Sequence, residues 1–176
     1  MIAYLSKILY ICNMIRARIQ IADGEIYDTA TKWGLIYTDS DKRIAPPEKK
    51  RDTTSYPEKA GENADKRTVL DAFDYKVSFA ITAPNKDLRN ANVKIKAFND
   101  AVREKIAGSD VMKCKTVTFY DDYKRVKIVG IPEVLDEAKN FYRMSGGGVL
   151  DCVEVELTIH VDNPKLCDFS TNTDNL

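Results

Sequence analysis

Val149-Leu150-Asp151-Cys152-Val153-Glu154-Val155-Glu156-Leu157-Thr158-Ile159-His160-Val161-Asp162 is the stretch that decides the fold. Val153, Val155, Leu157, Ile159 and Val161 fall on one side of an extended chain. Cys152, Glu154, Glu156, Thr158, His160 and Asp162 fall on the other. A period of two over this length predicts a strand with one buried and one wet face. Strands usually run about five or six residues, so this one is long. Its wet face carries three carboxylates and the chain's single histidine. A long strand of this kind suits a sheet that lines a ring or pairs with a neighbour better than a compact catalytic domain.

The flanks bound it. Gly146-Gly147-Gly148 leads into the strand and Asn163-Pro164 ends it. The glycine run is no phosphate cradle, because a P-loop needs a Lys-Ser/Thr and a helix behind it, and here Val149-Leu150 open a strand. Upstream, Val134, Leu135, Ala138, Phe141 and Tyr142 recur at helical spacing and predict a short helix. Before that, residues 115–120 and 125–131 alternate across Asp121-Asp122-Tyr123-Lys124, a hairpin signal. Leu88, Ala91, Ile95, Phe98, Val102 and Ile106 predict one amphipathic helix, stopped by Gly108. Residues 73–83 alternate as a strand with Phe73, Tyr75, Val77, Phe79 and Ile81 on one face. Residues 15–21 predict another strand running into the turn Asp23-Gly24, and 25–37 a second β segment interrupted at Trp33-Gly34.

Between these lies a polar excursion, residues 45–66, with Pro46, Pro47, Pro57 and Gly61 and no hydrophobic period. A segment of this length inside a compact domain is expected to act as an arm. The order of pieces predicts an α+β, mainly β fold: an antiparallel β-sandwich or barrel with one packed helix, a second short one, and a long extended arm. One domain over residues 15–169 fits the 176-residue length. Residues 170–176 read as a frayed tail. Residues 1–14 read as an N-terminal extension, or as a start placed too early with Met14 the true first residue. They are too short for a membrane span and lack the basic start and cleavage site of a signal peptide.

Lys plus Arg and Asp plus Glu both count 27, giving a formal net charge of zero. Gripping nucleic acid normally needs a basic excess. Lys49-Lys50-Arg51 is a local basic run without interleaved aromatics, so a solvated or protein-docking arm is the expected role. Cys12, Cys114, Cys152 and Cys167 are widely spaced without a Cys-x-x-Cys, which predicts free thiols rather than a zinc site. Cys152 and His160 share one extended segment, which keeps them too far apart for a nucleophile pair. Asp121-Asp122 reads as turn chemistry. Glu154, Glu156, His160 and Asp162 read as a solvated face or as an acidic wall bordering a lumen, from which a polyanion would be repelled. Trp33, with Tyr27 and Tyr37, is expected to pack a core edge or an intersubunit contact.

Taken together, several pieces resemble the phage tail-tube and distal-tail (baseplate hub) superfamily. They are Trp33-Gly34-Leu35-Ile36 followed by the Pro-containing arm, and within it Tyr56-Pro57-Glu58-Lys59-Ala60-Gly61-Glu62-Asn63-Ala64-Asp65. The strand over 73–81, the helix after it, the hairpin at Asp121-Asp122 and a last strand ending at Asn163-Pro164 complete the likeness, which covers residues 15–169. The resemblance implies a non-enzymatic structural component of a virion or prophage tail, self-assembling as a ring, typically a hexamer, around the tail channel. Its partners would be copies of itself and other tail or baseplate proteins, with DNA only as passing cargo and no membrane. It would be found in the virion tail, and in the host cytoplasm during assembly. The carbohydrate-binding-like second domain of many distal-tail proteins has no counterpart in these residues, so the ring role is expected rather than receptor binding. No catalytic residue, cofactor or metal is carried over. In this reading Glu154, Glu156, His160 and Asp162 face the lumen, and Pro46, Pro47, Lys49, Lys50, Arg51, Tyr56 and Pro57 form an intersubunit arm. Two other classes stand beside it. One is a small metal-dependent hydrolase using Glu154, Glu156, His160 and Asp162, which perturbed carboxylates in a closed pocket would favour. The other is a monomeric binding module built on Trp33 and its tyrosines.

Overall fold

The computed structural model describes residues 16–42, 45–47, 70–136, 141–145 and 149–169. The fold is mainly β and antiparallel throughout, as expected. Strands β1 (Ala17–Ile21), β2 (Ile26–Asp28), β7 (Val117–Asp121) and β8 (Val126–Pro132) form one half of the sheet. Strands β3 (Ile36–Ser40), β4 (Phe73–Thr82), β9 (Phe141–Ser145) and β10 (Val149–Val161) form the other. The path runs β2-β1-β7-β8-β10-β4-β3, with β9 paired to β10. Among the described residues it does not close into a barrel: β2 and β3 are its two ends.

β8 joins the halves by changing partner along its length. Gly130 pairs with Val117 of β7, and the next residue, Ile131, pairs with His160 of β10. At this crossing a Cβ on residue 130 would sit 2.4 Å from the His160 carbonyl oxygen. Glycine is what lets the two backbones approach. The inner faces then meet in one core. Tyr75 of β4 lies against Phe119 of β7, with ring centroids 6.3 Å apart. Val153, Val155, Leu157, Ile159 and Val161 are all buried, as their alternation requires.

Two helices pack on this sheet. The short α1 (Thr29–Trp33) takes the middle of the β segment expected over 25–37, where the sequence predicts only an interruption at Trp33-Gly34. Local capping explains the correction: Asp28 accepts from the Thr31 amide at 2.8 Å, and Gly34 closes the turn at φ 69°. Buried Thr29 donates to the Leu35 carbonyl at 2.9 Å, fixing the helix against the strand that follows. The long helix α2 (Leu88–Val102) buries Ala91, Ile95, Phe98 and Val102, the predicted stripe. Asp87 caps it through the Arg89 amide at 2.9 Å.

The end of α2 departs from expectation. Arg103 adopts extended backbone (φ −101°, ψ 154°), so the helix stops one turn before Ile106. Strand β5 (Arg103–Lys105) pairs instead with β6 (Met112–Cys114), and Gly108 sits in the loop between them at φ 75°. Ile106 is exposed accordingly. The second helix expected around residues 134–142 is corrected where its residues are described; Ala138 lies outside them. Leu135 is buried in irregular chain, while Phe141 and Tyr142 belong to β9, paired with Val153 and Cys152. Asn99 of α2 holds that irregular stretch, exchanging two hydrogen bonds of 2.9 Å with the Leu135 backbone. A side-chain clamp of this kind leaves Leu135 buried without needing a helical turn.

Candidate functional site

Two places gather polar side chains: the outer face of β4 and β10, and a buried cluster around Asp121. On the outer face, Glu154, Glu156, His160 and Asp162 are exposed, as their alternation predicts. The antiparallel register sets Glu156 opposite Ser78, Thr158 opposite Lys76 and His160 opposite Asp74. Lys76 Nζ donates to Glu156 at 2.8 Å. His160 is flanked on both sides: Nδ1 lies 2.7 Å from Asp74 and Nε2 lies 3.0 Å from Asp162. Its pKa is raised above the ordinary imidazole value, mainly by the hydrogen bond to Asp74, with the charge of Asp162 adding. The face is therefore a ladder in which a lysine and an imidazole stand among the carboxylates. Asp74 and Lys76 escape the sequence reading because only the β4–β10 pairing shows that they are neighbours of the acidic strand. They were legible as wet positions of their own alternation.

Cys152 corrects the expectation for this face. It is 1% exposed, and Ala80 on the neighbouring strand is fully buried, so the polar side of β10 is covered at that end. Burial raises its thiol pKa, with the nearby Asp151 carboxylate adding. Cys114, Cys152 and Cys167 are free. Cys12 lies outside the described residues.

The buried cluster is held by β3, β4 and the β7–β8 turn. Asp121 is 1% exposed and accepts from Tyr37 at 2.6 Å, from Ser40 at 2.7 Å and from the Lys124 amide at 2.8 Å. Ser40 also meets the Tyr75 hydroxyl at 3.0 Å. Burial and the Asp121 hydrogen bond push the Tyr37 phenol far above its ordinary pKa, and burial pushes Tyr75 up to about 12. Lys124 closes the outside, donating to Asp39 at 3.0 Å and to the Ser40 carbonyl. Hydroxyls and a carboxylate can do acid–base work only where a substrate reaches them. Here each is committed to another, and among the described residues no buried side-chain N or O lacks a partner. The cluster is a tie across the core. Asp122, next in sequence, faces out and takes both ends of the Arg18 guanidinium at 2.7–2.9 Å. The doublet Asp121-Asp122 thus does more than shape a turn.

Trp33 is 6% exposed and packs edge-on against Tyr27 and Phe98, with centroids 5.6 and 5.3 Å away. It is a core residue, as is Tyr37. Of the expected arm, Pro46 and Pro47 are half-buried, and the Pro47 carbonyl accepts from the Asp71 amide at 2.9 Å. The two roots of the segment joining β3 to β4 are therefore held together. Lys49, Lys50, Arg51, Tyr56 and Pro57 lie outside the described residues, as do Gly146-Gly147-Gly148.

Among the described residues, no group of three or more His, Cys, Asp or Glu side chains is placed to hold a metal ion. A concavity of about 360 Å³ lies at the β5–β6 tip and is lined by the consecutive residues 105–110. No described helix is long and apolar enough to cross a membrane. Compared with known proteins, the sequence matches no family model and no curated protein.

Proposed function

We propose that this chain is a structural component of a phage or prophage tail, of the distal-tail or tail-tube kind, that self-assembles into a ring around the tail channel. The observation that carries the proposal is the open sheet. Among the described residues its path ends on β2 at one side and β3 at the other, each paired on one edge only. Open edges present backbone donors and acceptors to another chain. A closed ring covers such edges with copies of the same protein. Ile26, on end strand β2, is 45% exposed and adds apolar surface at that edge. The arm leaves from the other end strand, β3, and in this reading reaches the next subunit. Glu154, Glu156, His160 and Asp162 would border the lumen, and the partners would be further copies and neighbouring tail proteins. The assembled ring would belong to the virion tail.

Both competing classes find less support. The residues of the hydrolase reading lie exposed along one strand face, where Glu156 pairs with Lys76 and His160 with Asp74 and Asp162. The aromatic residues of the binding-module reading are taken up by packing: Trp33 against Tyr27 and Phe98, and Tyr37 against Phe79. Sedimentation of the wild type and of Ile26→Lys tests the ring. The lysine is expected to lower the assembled fraction while leaving the circular dichroism of the subunit unchanged. Equal assembly of the two proteins would remove the β2 edge from the interface.

A further inference from the structure

We propose that Asp74, His160 and Asp162 form a pH-sensitive clip that secures the exit of β10 only while the imidazole carries both of its protons. Both ring nitrogens face carboxylate oxygens, at 2.7 Å for Asp74 and 3.0 Å for Asp162. A carboxylate can only accept, and a neutral imidazole donates from one nitrogen alone. Both contacts can be hydrogen bonds only in the imidazolium form. Loss of a proton turns one of them into a lone pair facing an oxygen. The longer contact, to Asp162, is the one that gives way, leaving Nδ1–H on Asp74.

Asp162 stands where β10 ends. Beyond it, Pro164–Leu166 forms a 3₁₀ turn, and the Asp168 backbone exchanges bonds of 2.7 and 2.8 Å with Lys127 of β8. Phe169 then rests against Phe73 of β4. Releasing Asp162 loosens the first anchor of this segment. The charged groups acting on His160, among the described residues, are Asp74 from β4 and Asp162 from its own strand; Lys76 of β4, the nearest cation, sits among Glu156, Asp74 and Glu133. Lys76 is already held by Glu156. On β8 the residue opposite His160 is Ile131, which brings no charge. The raised pKa of His160 agrees with this arrangement. The inference stands on the geometry of one strand end and does not depend on the ring reading.

Because the chain has a single histidine, ring ¹⁵N and ¹³C shifts report on it without assignment. They would be followed through roughly pH 5 to 9 in the wild type, Asp74→Asn and Asp162→Asn. His160 is expected to titrate above the ordinary imidazole value, to fall in both variants, and to hold its neutral proton on Nδ1. Amide protection over residues 163–169, corrected for intrinsic exchange, is expected to drop by roughly two- to five-fold as the ring deprotonates, the scale of an exposed ion pair. Asp162→Asn removes that pH dependence. An ordinary pKa unmoved by either variant, or protection indifferent to pH in the wild type, would overturn the clip.

Discussion

At the scale of single residues, the strongest demands fall on Asp121. Its carboxylate is sealed and satisfies Tyr37, Ser40 and the Lys124 amide at once. Asp121→Ala removes the carboxylate shared by two buried hydroxyls and an amide, leaving the hydroxyls only one another. It is expected to cost about 2–4 kcal/mol in urea denaturation. Tyr37→Phe removes one donor and is expected to cost less, about 1–2 kcal/mol. If Asp121→Ala were neutral, the cluster would not be a tie between the halves. His160 makes a different demand, because its folded pKa lies above the unfolded value. Its contribution to stability is whole below the unfolded value, about 6.5, and fades as pH rises through the folded one. The denaturation midpoint should therefore fall slightly on going from mildly acidic to mildly alkaline buffer, and His160→Gln should flatten that slope. Asp39 behaves oppositely. Its hydrogen bond with Lys124 lowers its pKa, so that contribution fades as pH falls through the folded value.

At the scale of elements, the places where the chain turns or crosses carry the specificity. Gly130→Ala would put a Cβ 2.4 Å from one backbone oxygen and 2.8 Å from the Ile159 side chain. The neighbouring atom is backbone and cannot swing away, so a loss of about 1–3 kcal/mol in thermal or urea unfolding is expected. An unchanged midpoint would mean that β8 and β10 separate freely at their crossing. The elements legible in the sequence were those with an unbroken period, such as β4, β10 and the buried stripe of α2. The β7–β8 hairpin was legible from its polar turn between two alternating runs. Those missed were decided by other forces. α1 is only five residues long and owes its form to the Asp28 and Gly34 caps, which a period over 25–37 does not register. Ile106 continues the helical spacing of α2, yet the chain leaves the helix at Arg103 to pair as β5. Phe141 and Tyr142 fit helical spacing with Val134 and Leu135, but β9 is specified by the open edge of β10 beside it. Pairing partners far along the chain are invisible to a local window. Cys152 fell on the polar side of its strand for the same reason: its burial comes from packing, not from period.

At the scale of the molecule, the sheet has two ends and a long segment leaving from one of them, and the candidate surface is the consequence. The acidic positions of β10 were legible in the sequence as a wet face. Their pairing with Asp74 and Lys76, and the Asp121 tie, became visible only once strands far apart in sequence were set side by side. Self-assembly is the central claim that these features support, and the mass in solution tests it most directly. Light scattering over a range of concentrations, on the full chain and on a chain starting at Met14, should give a discrete ring-sized oligomer or growth toward one. A strict monomer at high concentration would contradict the ring.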